Sequence, residues 1–135
     1  MPAQYIFALA AVLAVIPILV IFKVFLDKLK RDPSQQGKVQ SRFMIGVALS
    51  ELIPILLVIW GFIELTPVSS IGELLLPGLI VIFLMVFAVF FIFLQKSVDV
   101  EPEAKAIVNS FAMIGIPITM AFPIIALVSL FLMMP

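Results

Sequence analysis

The sequence predicts an all-α membrane protein of four transmembrane helices, arranged as two duplicated helical hairpins. Three observations lead there. Of 135 residues, 64% are hydrophobic and 12% charged, and the mean hydropathy is +1.35, more apolar surface than a soluble domain of this length can hide. The charges collect in short polar stretches that separate four long apolar runs. The chain also matches itself when slid by 69 residues.

Composition also excludes much. There is no Cys and no His, which removes disulfide frameworks, thiol nucleophiles, Cys/His metal or haem sites and any triad that needs imidazole. No enzyme activity, cofactor or metal is expected. The net charge is zero and most basic residues lie in one loop, so no nucleic-acid partner is expected either. The lipid bilayer is the expected surroundings.

Segment one runs from Tyr5 to Asp27, charged only near its end at Lys23 and Asp27, and is long enough for one span at ~20 residues per bilayer. A cleaved signal peptide would have a basic start and an apolar core of ~7–15 residues; this run is longer and starts uncharged. Pro17 is expected to bend the helix, and Lys23 to extend its ammonium toward the interface. Lys28 to Arg42 carries five basic residues against one acid, with Pro33 and Gly37 as turn formers, and reads as a polar hairpin loop.

Segment two, Phe43 to Ile63, contains Glu51 eight residues inside an otherwise uncharged run. An acid near the middle of a hydrocarbon layer costs at least ~2.5 kcal/mol and usually marks an ion path. Pro54 has no N–H, so the carbonyl of Ser50 loses its i+4 donor beside the acid. Glu51 and Ser50 are the candidate ion-binding residues. Pro54, with Pro123 in the last segment, is the candidate helix-distorting position. Trp60 and Glu64 fall toward the far interface.

Leu65 to Glu73 is a turn-rich connector without a basic residue. Segment three, Leu74 to Gln95, is dense in Phe. A second polar loop, Lys96 to Lys105, leads into segment four, Ala106 to Met133, which has no charge. The basic first loop is expected on the cytoplasmic side. The second loop joins it there, and both termini and the connector face outward.

The 69-residue offset places Pro33 on Pro102, Met44-Ile45-Gly46 on Met113-Ile114-Gly115, Ser50 on Thr119 and Pro54 on Pro123. Shared Pro and Gly spacing is not a product of apolar bias alone. The halves are residues 1–68, which carry Glu51, and 69–135, where Met120 takes the position of the acid. Both halves have the same topology, unlike transporters built from inverted repeats.

Arg31-Asp32-Pro33 stands twenty residues before Glu51, ahead of the G-V-A-L-S-E-L-I-P helix. This arrangement resembles the c subunit, or proteolipid, of rotary ATP synthases, where an Arg-Gln-Pro loop precedes a G-x-A-L-x-E-x-x-P-type helix. With one acid in two hairpins, it also resembles the duplicated proteolipids of vacuolar-type ATPases. Asp32 stands where the family has Gln, and Leu13–Lys23 and Ile82–Ile92 lack the glycines common in family first helices.

The resemblance implies a homo-oligomeric ring in a bacterial cell membrane. In it Glu51 carries a proton across the lipid face and releases it opposite a basic residue of a partner membrane protein. A lone acid suits that role, since it is costly in lipid when charged and tolerable when neutral. A sodium site would need several oxygen ligands, and after Gln4 segment one has no Gln, Asn, Ser or Thr before its polar end. The alternative is a proteolipid-like oligomeric scaffold without ion transport, with Glu51 as an interhelical hydrogen-bonding group.

Overall fold

The computed structural model describes residues 1–135 and is helical throughout, with no strands. Its helices are α1 (Ala3–Arg31), α2 (Gln36–Ser50), α3 (Leu52–Ile63), α4 (Leu75–Ser97) and α5 (Lys105–Leu132), with short 3-10 turns at Pro33–Gln35, Ile71–Leu74 and Pro102–Ala104. Three segments are each long and apolar enough to cross a membrane, and the bent pair α2–α3 makes a fourth if it counts as one span. The chain is an integral membrane protein.

Proline sets the two polar turns. A residue before proline is pushed out of the helical region, and α1 ends at Asp32, φ −145° and ψ 88°, immediately before Pro33. Glu101, before Pro102, is likewise extended. Each proline then opens a 3-10 turn, where its missing N–H has no partner to lose. Lys28, Lys30 and Arg31 occupy the last turn of α1, where cations oppose the negative end of the helix dipole.

The expected loop from Lys28 to Arg42 is therefore much shorter. Only Asp32 to Gln35 separate α1 from α2. Lys, Arg and Gln are good helix formers, and the helices continue through the charged residues on both sides of the turn. Segment one is correspondingly longer than the expected Tyr5–Asp27, and Pro17 lies within it without ending it.

Segment two also departs from one continuous helix. It divides at Glu51 into α2 and α3, bent by 40°. Pro54 explains the break, because its ring crowds the Ser50 carbonyl and supplies no N–H to it. Pro117 and Pro123 lie inside α5, which nevertheless runs as one helix. α5 packs on both α1 and α4, whereas α2 and α3 pack on α1, so the helix held from two sides stays whole.

α1 is the central helix, packed against each of the others. Phe7, Val15, Ile18, Phe22, Leu26 and Leu29 are fully buried on it. Two glycines admit its largest side chains: a Cβ on Gly61 would lie 2.8 Å from the Phe7 ring, and one on Gly115 would lie 2.7 Å from the Phe22 ring. Phe22 stacks on Phe111 at 5.3 Å between centroids, and Phe43 meets Phe111 edge-on at 4.9 Å. Three helices thus share one aromatic cluster. At the Gly61 and Gly115 contacts α3 and α5 supply the small residue and α1 the ring.

α4 buries Pro77, Val81, Leu84, Ala88 and Ile92 along one stripe and turns Phe83, Val86 and Phe90 outward. Both polar turns lie at one end of the bundle, tied by the Lys30 ammonium donating to the Val98 carbonyl at 2.8 Å. At the other end the Val68 amide donates to the Met133 carbonyl at 2.9 Å, which fixes the connector to the end of α5. Glu73 accepts from the amides of Ser69 and Ser70 at 2.7 and 3.1 Å, capping the turn that starts α4.

Candidate functional site

Glu51 is the residue at the break, with φ −84° and ψ −6°. Its amide donates to the Val47 carbonyl at 3.0 Å, and its own carbonyl accepts from Ile55 at 2.9 Å. Glu51 thus keeps both of its own helical backbone bonds while the axis changes direction, and the carbonyl left without its i+4 donor is that of Ser50. Pro54 is buried. The Ser50 hydroxyl donates to the Val47 carbonyl at 2.9 Å and forms no hydrogen bond to Glu51.

The side chain of Glu51 is half-buried on the outer surface of the bundle, not enclosed in the core. Around it on the chain, Leu49, Leu52, Ile53 and Leu56 are all more than half exposed. Its carboxyl makes no hydrogen bond, and the protein's one ion pair joins Lys23 to Asp27 at 3.1 Å. An apolar surface thus presents a single acid without a partner in its own chain. No group of three or more metal-ligating side chains gathers anywhere.

Met120, which the 69-residue offset places on Glu51, is buried. Beside it the Thr119 hydroxyl donates to the Gly115 carbonyl at 2.7 Å. The helix face that is open at Glu51 is covered around Met120: α5 packs on both α1 and α4, whereas α2–α3 packs on α1 alone among the long helices.

Arg31, Asp32 and Pro33 are not brought to Glu51. α2 intervenes, about 22 Å of helix at 1.5 Å per residue. Arg31 Nε donates to the Asp27 carbonyl at 3.4 Å. Asp32 accepts from the hydroxyl and amide of Ser34, and the hydroxyl above all holds its carboxyl below the usual carboxylate range. These residues shape the turn.

Lys28, Arg31, Lys38 and Arg42 line one cleft between α1 and α2, a grouping that a loop over Lys28–Arg42 would not produce. Their spacings, i,i+3 and i,i+4, would have put each pair on one helix face, had both stretches been read as helical.

Two known proteins match the chain. ATP synthase subunit c of Alkalihalobacillus alcalophilus is 34% identical over 61 residues, covering 45% of this chain and 86% of the relative. ATP synthase subunit c of Halalkalibacterium halodurans is 39% identical over 57 residues, covering 42% of this chain and 81% of the relative. No protein-family model matches, and no solved structure matches. Each relative is matched over most of its length by less than half of this chain. A matching stretch of that extent, in a chain of apolar helices with one acid at a proline-broken turn, establishes that the protein belongs to the ATP synthase subunit c family.

Proposed function

We propose that the protein is a proton-carrying proteolipid of a rotary-ATPase-type complex in a bacterial membrane, with Glu51 as the carrier. The unpartnered carboxyl of Glu51, at the α2–α3 break on the outer face, carries the reading. Neutral, it can stay against lipid; charged, it needs a counter-charge, which a basic residue of a partner membrane protein would provide. The break lets the carboxyl leave the helix line without disturbing the core. Protons are favoured over sodium, which takes several oxygen ligands: the only other side-chain oxygen near Glu51 in sequence is the single hydroxyl of Ser50.

Residues 1–68 and 69–135 are read as duplicated hairpins, and several copies as a ring. α1 packs on α5, the outer helix of the other half. α4 holds the position of α1 in the second half, yet the face carrying Leu79, Phe83, Val86 and Phe90 is exposed. A second copy supplies the missing helix by placing its own α2–α3 across that face. The polar turns are assigned to the cytoplasm, by their Lys and Arg, and both termini to the outside.

Mass analysis in mild detergent should show a homo-oligomer; monomer alone at high protein concentration overturns the ring. The carrier reading is tested by flux in vesicles that hold the complex with its native partners. A proton gradient should discharge at a rate indifferent to sodium. Discharge that requires sodium would reassign the ion, and no discharge at all would leave a scaffold.

A further inference from the structure

We propose that the cleft between the end of α1 and the start of α2 binds the phosphate of an anionic phospholipid headgroup. Lys28 and Arg31 reach it from α1, and Lys38 and Arg42 from α2, around a cavity of about 250 Å³. Four cations there face one carboxylate, and that carboxylate, Asp32, is turned to Ser34, whose amide and hydroxyl it accepts. Lys38 and Arg42 make no hydrogen bond or ion pair within the chain. Arg31 uses only Nε, on the Asp27 carbonyl, leaving its terminal N–H groups free. Lys28 lies over the Phe25 ring at 4.9 Å.

The tight Asp32–Gln35 turn gathers four like charges around one cleft, and Asp32, the one carboxylate in the lining, offsets their mutual repulsion only in part. A phosphate relieves it, and Arg matches phosphate oxygens bidentately. Phe25, Val39 and Gln35 complete the lining, so cations sit beside apolar side chains at the polar end of the bundle. That combination fits a lipid phosphate, whose acyl chains remain in the membrane, better than a free one. Basic pockets between helices at a membrane surface suit anionic headgroups.

The second half supplies an internal control. At the 69-residue offset the four cations become Ser97, Val100, Ile107 and Phe111. The cleft there contains Lys96 and Lys105, and Lys96 donates to Asn109 at 2.8 Å. The site is thus particular to the first turn, and it stands independently of what Glu51 carries.

The test is the association of spin-labelled phosphatidylglycerol, relative to spin-labelled phosphatidylcholine, with the full-length protein in phosphatidylcholine vesicles. Wild type should prefer the anionic lipid on the order of tenfold, and the preference should shrink as salt rises. The double variant Lys38→Gln with Arg42→Gln, both exposed and unbonded, should lose at least about threefold of it. Lys96→Gln with Lys105→Gln should keep it. Parity between the lipids in wild type, or an equal preference in both double variants, overturns the site. Displacement by millimolar inorganic phosphate would make it a free-phosphate site and overturn the lipid assignment. Lipid parity, with Lys38 shielded from acylation only when a soluble partner is added, would assign the cleft to a protein contact. Salt screening in wild type keeps the test decisive if the first variant fails to fold.

Discussion

Glu51→Gln should abolish proton flux through vesicles that hold the complex while leaving oligomer size unchanged and stability within about 0.5 kcal/mol of wild type. The amide has nearly the shape of the carboxyl but cannot gain and lose a proton at any accessible pH. Because Glu51 makes no hydrogen bond or ion pair within its chain, the substitution removes no contact that holds the bundle together. Flux measured alongside oligomer mass separates the two effects. Unchanged flux in an intact oligomer leaves Glu51 a structural group only.

Gly115→Val should be the most damaging packing change, because the new Cβ would start 2.7 and 2.8 Å from two atoms of the Phe22 ring. That ring cannot easily yield. It stacks on Phe111 at 5.3 Å and meets Phe43 edge-on at 6.3 Å. Overpacking of this kind costs about 1–3 kcal/mol, outweighing the better helix propensity of a residue with a side chain. Gly37→Ala is the contrasting case, with no atom within 4 Å of the new Cβ and a gain of up to about 1 kcal/mol. Thermal unfolding midpoints in detergent compare them. Adding Phe22→Leu should recover part of the Gly115→Val loss, and equal midpoints for Gly115→Val and wild type would contradict the packing described.

Much of the fold is legible in the sequence, because bilayer crossing leaves a signal in length and hydropathy that needs no tertiary knowledge. α4 and α5 begin and end within a residue or two of the expected segments three and four. The error at Lys28–Arg42 has a physical source. Clustered charge suggests a loop, yet a helix in water hydrogen-bonds its own backbone whatever its side chains, and only the residue before Pro33 has to leave it. The halves of segment two could be read from Pro54, which unseats the Ser50 carbonyl; the 40° bend depends on α2–α3 lacking the second neighbour that steadies α5.

The site divides in the same way. That Glu51 is singular could be read from the absence of any other charge in the spans around it. Its outward direction could not, since α2 and α3 around the acid are apolar on every side and carry no stripe to mark the inner face. Gly61 and Gly115 look like ordinary helix-interruption points in the sequence; only α1, threading between them, shows that they receive Phe7 and Phe22. That Met120 is buried while Glu51 stays open also needs the third dimension, because α5 is held between α1 and α4.

The most direct test of proton carriage uses the unaltered protein. Vesicles holding the complex are titrated with a hydrophobic carbodiimide, which reacts from the membrane phase with neutral carboxyls, and the adduct is located by peptide mass as flux is followed. Of the eight acidic residues, Glu51 should take the label, since the others lie in or beside the polar ends, and flux should fall in step with its occupancy. Labelling that spares Glu51, or flux that persists when Glu51 is fully modified, would contradict the account.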